Sequence, residues 1–414
     1  MNVMTDSPEL SRMGELRRGW RPLVASCFGI ALGLSPHSAY TIGIMASAMN
    51  ADLAWSRGDI LGATMIGTLA VILLGSTIGR AVDRLGARRV AIASTIGVSL
   101  GLFLLSTVAT NIYIFYILWG LLTVLGLGTL PMTYANIVGQ WFNRARGMAL
   151  GIALASTGIA GAIYPFFLDF LIDGSNWRSG FLGLASLPLL ISLPIQLLWL
   201  REPGKTREGT ATVEVTGLTL KEAIYRYRFW ASAFAAMLLN FASGGLLPNF
   251  LPLLTEGGLT VADATRALAV MALSITAGRL LCGFMLDRMW APNVGLILIL
   301  PAVLGALALT TQDMTFSMAF AAVALIGLAT GAEYDMLAYI TGRYFGRRHF
   351  SELFGFQFAI FAIGSGFAPG FYGTMRDRLG SYEPLLYLSI VAMLGSIALL
   401  YTLGRYPKEY ADGH

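Results

Sequence analysis

The chain has 414 residues, of which 56% are hydrophobic and 12% charged, with a mean hydropathy of +0.68. Soluble domains carry about 25% charged residues, so a soluble protein is excluded and a polytopic membrane protein is expected. The net charge of +5 is mostly arginine, spread through the connections between apolar runs, and implies no nucleic-acid partner.

Twelve apolar runs are long enough to cross a hydrocarbon core of about 30 Å. They span 21–46, 57–79, 88–108, 112–140, 146–172, 179–200, 228–254, 263–286, 292–311, 314–342, 351–374 and 383–404. The first begins near Leu23 and reads as a span, not a cleaved leader. "GLSPHSAYTIG" at 33–43 interrupts it with Pro36, which is tolerable where backbone lines a cavity. His37 and Tyr40 then share a face. His37 is a candidate to shuttle a proton or donate to a carboxylate, with a packing histidine as the alternative. In the fourth run Tyr134 and Asn136 are candidate cavity residues. Asp169, near the outer end of the fifth, suits an interfacial role.

The only long polar connection is 201–227, where "LTLKEAIYRYRFW" reads as a short amphipathic helix lying at the interface. Residues 1–200 and 228–414 form the expected units on either side. In the seventh run Asn240 and Asn249 flank "SGG" and Pro248 as candidate cavity residues. The eighth run, "SITAGRLLCGFMLDR" at 274–288, holds Arg279 eight residues before its next charge. Eight residues rise about 12 Å, and an arginine at such depth costs roughly 2.5–3.5 kcal/mol on insertion scales.

The tenth run carries Glu333 and Asp335 well inside an apolar stretch, where carboxyl groups are often proton relays or ion sites. Two residues apart, they point about 200° from each other. Asp335, Tyr339 and Arg343 recur at i, i+4 and i+8, which suggests a structural pair, while Glu333 faces elsewhere. Gln357 in the eleventh run completes the candidate substrate residues.

Of the 28 Lys and Arg residues, 22 fall on one side if both ends are cytoplasmic, five on the other, and Arg279 is left over. That asymmetry sets the topology. "GRAVDR" at 79–84 matches "GFMLDR" at 283–288, and "WFNRAR" at 141–146 matches "YFGRRH" at 344–349, displacements of 204 and 203. Six helices are therefore followed by six more in parallel halves, the layout of alternating-access carriers with a site near the midplane. The repeat puts Gly75 opposite Arg279, whereas Gly79, Asp83 and Arg84 recur as Gly283, Asp287 and Arg288. A charge present in one half only fits a ligand for an anion, since guanidinium can hold a carboxylate bidentately.

With these motifs the chain resembles the major facilitator superfamily over nearly its whole length. "GRAVDRLGARR" at 79–89 matches the signature loop between helices 2 and 3. "WSRGDI", "QWFNRARGMALGIALASTGIAG", "GRLLCGFMLDR", "RYFGRR" and "LFGF" resemble the monocarboxylate transporter and oxalate–formate antiporter branch. The resemblance implies an all-α membrane protein with twelve transmembrane helices in two six-helix, pseudo-symmetric bundles. It also implies a cavity among helices 1, 4, 7 and 10 and an arginine in helix 8 like Arg279. The departures are informative. Ile275 stands where animal monocarboxylate transporters carry an aspartate, helix 1 has no lysine, and helix 11 has Gln357 and no cation.

One intramembrane cation suits one carboxylate. The expected function is a secondary transporter of a small organic monocarboxylate, coupled to protons. Arg279 would hold the anion, with Glu333, Asp335 or His37 as proton carrier. The alternatives are anion exchange without protons and proton-coupled multidrug efflux. Asp83, Arg84, Arg144, Asp287, Arg288 and Arg347 are expected at the gate. No phosphate-binding loop occurs, and neither the two separated cysteines nor the three histidines form a metal spacing. No enzyme activity, cofactor or metal is expected. The partners are the carboxylate, the proton and the lipid bilayer, with one chain sufficing as a monomer. The compact chain suits a bacterial inner membrane with both termini cytoplasmic.

Overall fold

A backbone in hydrocarbon must satisfy its own hydrogen bonds, which favours long helices. The computed structural model of the chain describes residues 12–55, 57–172, 176–202, 216–311 and 314–407. Residues 203–215 of the expected polar connection, with Lys205 and Arg207, and also Lys408 lie outside the described residues.

Helix α1 is built from Arg12–Ala31, Leu34–Pro36, a π turn at His37–Thr41, and Ile42–Leu53. Helices α2 and α3 span Arg57–Leu85 and Ala87–Val108. Helix α4 runs through Ile112–Gly126, a 3₁₀ turn at Leu127–Thr129, and Pro131–Trp141. Helix α5 is Arg146–Leu171, and α6 is Trp177–Leu187 continued by a π turn at Pro188–Ser192 and Leu193–Trp199. The second half has α7 at Tyr227–Glu256, α8 at Val261–Leu286, α9 at Ala291–Ala308, α10 at Phe316–Phe345, α11 at Phe350–Leu379 and α12 at Glu383–Thr402.

Among the described residues, eleven helices are individually long and apolar enough to cross a membrane. The twelfth, α1, is split. Its first piece carries Arg12, Glu15, Arg17, Arg18 and Arg21, and the chain breaks at Gly33, before Pro36. A backbone donor released by the break is recovered across the bundle: Leu34 N–H donates to Thr129 Oγ1 of α4 at 2.9 Å.

The expected amphipathic helix is a single turn, Leu220–Ala223, closed by a capping box between Thr219 and Glu222. Arg226 is extended, and α7 starts at Tyr227, so the final aromatic residues of the stretch belong to the span. Trp230 Nε1 donates to Ile224 O at 2.7 Å and ties the turn to α7.

Two hydrophobic cores form. One draws on residues between Leu23 and Leu200 and takes in Phe350, Phe354, Phe358 and Phe361 of α11. The other draws on residues between Ala223 and Leu403. They are joined chiefly by two helix crossings, α2 on α11 and α5 on α8. A Cβ at Gly79 would strike the Ser351 carbonyl, and one at Gly283 the Gly147 carbonyl. Missing side chains let these backbones touch.

Gly278 and Gly331 bring α8 against α10 in the same way, facing the carbonyls of Leu328 and Ile275. Overpacking such a site costs about 1–3 kcal/mol. Gly278→Val and Gly331→Val are expected to lower the melting temperature of the detergent-purified protein. Gly43→Ala and Gly370→Ala, which meet nothing within 4 Å, should leave it unchanged. Equal shifts in all four would show that the crossings do not set the packing.

Candidate functional site

A cavity of about 300 Å³ lies where the two halves face each other, lined from α1, α4, α5, α7, α8, α10 and α11. Pro36 and the π turn of α1 present Ser35, Ala39 and Tyr40 to it. Tyr40 also packs where Gly161 of α5 has no side chain. Helix α7 brings Asn240 and Ser243, α8 brings Ile275 and Arg279, and α10 brings Thr330, Glu333 and Tyr334.

Arg279 is buried, and its guanidinium lies over the Tyr334 ring, 5.4 Å from the centroid. Its Nε has no hydrogen-bond partner. Two buried carboxyl groups of α10, those of Glu333 and Asp335, interact electrostatically with it. Glu333 accepts a hydrogen bond from Ser243 Oγ, so its position is tied to α7. Asp335 is sealed outside the cavity lining, and neither of its oxygens has a hydrogen-bond partner. The expected pairing of Asp335 with Arg343 is not formed. Arg343 stacks instead on Tyr406, 4.9 Å from the ring centroid, near the end of the bundle.

Of the eight expected substrate residues, Arg279, Tyr40 and Asn240 line this cavity together with the expected proton candidate Glu333. His37 does not. Its Nδ1 donates to Gly33 O at 2.6 Å, and its ring packs against Tyr164 of α5 with centroids 5.1 Å apart. Tyr134 is buried in the first core against Gly29. Asn249 donates to Gly245 O at 2.8 Å and accepts from Tyr382 Oη at 3.2 Å. Gln357 is held between Thr341 Oγ1 at 2.5 Å and Ser232 Oγ at 2.7 Å, inside the second core. Ser243, Thr330 and Tyr334 join the cavity residues; Ser243 belongs to the "SGG" stretch and Tyr334 lies beside Glu333, whereas Thr330 carries no signal in the sequence.

Asn136 belongs to a different constellation, at the face bearing most arginines. Its Nδ2 donates to Asp83 Oδ1 at 3.2 Å and to Ser351 Oγ at 2.7 Å. Asp83 also accepts from the N–H groups of Ser351 and Glu352, at 3.2 and 2.9 Å, at the start of α11. Its counterpart Asp287 accepts from the N–H groups of Gly147 and Met148, at 2.5 and 3.0 Å, at the start of α5. Carboxylates at helix N-termini satisfy orphan donors and complement the dipole. Burial pushes the Asp287 carboxyl above its ordinary value, against the opposing pull of the Met148 and Gly147 N–H groups.

The expected gate arginines are arranged around these contacts. Arg347 Nη1 donates to Gly139 O at 2.8 Å. Arg288 stacks on Phe284 and donates to its carbonyl. Arg84 and Arg144 are exposed, and the Arg144 backbone N–H donates to Glu15. The aspartates thus close on backbone amides across the halves.

The model of the Major Facilitator Superfamily matches residues 25–369. The chain is 25% identical to monocarboxylate transporter 11 of Homo sapiens over 387 residues, covering 90% of this chain and 80% of the relative. It is 26% identical to the gallate transporter of Pseudomonas putida, with 78% of each covered. Among solved structures, the E. coli fucose:proton symporter FucP has a TM-score of 0.68 at 15% identity, covering 93% of this chain and 98% of that one. The proton:xylose symporter XylE has a TM-score of 0.72 at 12% identity, covering 94% and 96%. These likenesses carry the fold. The chain belongs to the major facilitator superfamily, as an integral membrane transporter of a small molecule and not an enzyme.

Proposed function

We propose that this transporter carries a small organic monocarboxylate together with a proton, across a bacterial inner membrane with both termini cytoplasmic. The observation that carries the reading is Arg279, buried at the wall of a cavity that it shares with the carboxyl group of Glu333. A guanidinium offers a carboxylate two parallel donors, and the Tyr334 face holds the group in place. A volume of about 300 Å³ suits a small cargo.

Proton coupling follows from charge balance. An arriving anion competes with Glu333 and Asp335 for the field of Arg279. A carboxyl that loses this share of the field in a dry site takes a proton. A proton travelling with a monoanion makes the step electroneutral. Glu333, on the cavity wall, is the carrier in this scheme. Asp335 holds Arg279 in the empty carrier. The relatives' monocarboxylate and gallate names and the two proton symporters among the structural neighbours agree with it.

Proteoliposomes offered labelled lactate, pyruvate, benzoate or gallate, with and without an inward proton gradient, test this. At least one is expected to accumulate with the gradient. Arg279→Ala and Arg279→Lys should lower uptake roughly 10- to 100-fold, the loss of a charge-assisted contact. Normal uptake by folded Arg279→Ala would remove that residue from the site. Glu333→Gln should lose the response to the gradient while retaining anion counterflow. Accumulation that ignores the gradient in the parent protein would favour exchange.

The two aspartate contacts act as the gate, holding the cytoplasmic side shut. Spin labels at Asn143→Cys and Met289→Cys report the α5–α8 gap. Asp287→Asn is expected to populate longer distances. Acidification should do the same by protonating Asp287 and removing an acceptor for the α5 amides. The change begins above the ordinary titration of an aspartate, because burial pushes this carboxyl up. Unchanged distances in Asp287→Asn reject the gate.

A further inference from the structure

A pocket of about 610 Å³ lies at the arginine-rich face and is lined from the second half alone. Its walls are the end of α8, the turn 287–290, Tyr339 and Arg343 of α10, and residues 404–406 after α12. Tyrosines fix these walls to one another. Tyr344 Oη donates to Gly404 O at 2.5 Å and accepts from Trp290 Nε1 at 3.1 Å. Tyr406 Oη accepts from Ala291 N–H at 2.9 Å, and its ring centroid stands 5.0 Å from that of Tyr344. The segment after α12 is thereby tied to the start of α9 and the end of α10.

Arg343 is half-buried against this frame, with its guanidinium face on the Tyr406 ring. Its Nε is buried without a hydrogen-bond partner, and it forms no ion pair among the described residues. Stacking uses the guanidinium face and leaves the N–H edge for recognition. Tyr339, one turn earlier on α10, lines the same pocket with a phenol hydroxyl. Arg405 adds a further cation, and Arg288, whose guanidinium is spent on Phe284, adds its charge. The acid among the lining residues, Asp287, accepts from the Gly147 and Met148 amides. At the displacement of 203 the repeat puts Gln140 opposite Arg343 and Asn136 opposite Tyr339. The pair therefore belongs to one half and not to the shared scaffold.

We infer that this pocket binds a phosphate group, either the headgroup phosphate of an anionic phospholipid or a soluble phosphate. The Arg343 edge takes two phosphate oxygens as a fork, and the Tyr339 hydroxyl donates to another. Phosphate offers oxygens in three directions, which a guanidinium and a phenol from one helix face can share, whereas a carboxylate offers two in one plane. Trp290 and the exposed Met289 line the pocket, and tryptophan suits the headgroup level of a bilayer. The site is separate from the central cavity and does not depend on the cargo read from Arg279.

The test uses the full chain carrying Cys27→Ser, Cys282→Ala and Met289→Cys, held in nanodiscs of phosphatidylcholine. Labelling by an uncharged hydrophilic maleimide is timed with inorganic phosphate, sodium benzoate or sodium chloride of matched ionic strength. A parallel series replaces increasing fractions of the lipid with phosphatidylglycerol. Phosphate or phosphatidylglycerol is expected to slow labelling saturably, with benzoate and chloride ineffective. Slowing by phosphate in phosphatidylcholine discs assigns a soluble source, and slowing by phosphatidylglycerol alone assigns the headgroup. Arg343→Gln should abolish the protection. Tyr339→Phe should raise the half-protecting phosphate concentration or phosphatidylglycerol fraction roughly tenfold, the loss of one hydrogen bond to a charged group. It serves where Arg343→Gln fails to fold. No protection by either phosphate source overturns the site, as does equal slowing by chloride. Equal protection by benzoate overturns the assigned class. Protection unchanged in both variants overturns the roles of Arg343 and Tyr339.

Discussion

The close crossing of helices between the two halves is the constraint on which the rest depends. Where α2 meets α11, Gly79 touches the Ser351 backbone and Gly75 approaches Gly355. Where α5 meets α8, Gly147 touches Gly283, and Gly151 approaches the Arg279 carbonyl. The two sets correspond at a displacement of 204, as do the amides that Asp83 and Asp287 accept from. Lipid supplies no hydrophobic drive for helix association, so backbone proximity and polar contacts carry it.

The break in this symmetry lies at the central cavity. Gly75 lets α2 approach α11, while its counterpart Arg279 turns a charge toward the cavity from an otherwise equivalent crossing. Burying that charge is tolerable because two carboxyl groups of α10 share its field and Tyr334 offers a ring face. Asp335, with no hydrogen-bond donor on either oxygen, has little besides Arg279 to offset its desolvation.

Helix interruptions serve the same cavity. Pro36 and the following π turn bring Tyr40 to the wall, and Thr129 recovers a donor the break in α1 releases. His37, one residue after Pro36, is buried against Tyr164 of α5 and hydrogen-bonded to Gly33 O, and it does not reach the cavity wall. A period of 3.6 residues relates two side chains to each other, but a π turn changes that relation locally. For this reason His37 and Tyr40 could be grouped in the sequence yet part in the fold.

The membrane class, the number of spans and the repeat were legible in the sequence, because hydropathy and spacing are properties of the chain alone. The isolation of Arg279 was legible too, since a charge without a twin needs no coordinates to be seen. Which polar residues share a cavity was not. Tyr134 and Gln357 look as available as Asn240 along the chain, yet Tyr134 is buried against Gly29 and Gln357 is held by Thr341 and Ser232. Asn136 is drawn to Asp83 at the arginine-rich face. Facing depends on how each helix is rotated against its neighbours, and that rotation is set by contacts between residues hundreds of positions apart. Residue type and period determined the spans and their charges, whereas tertiary packing decided which of those charges meet.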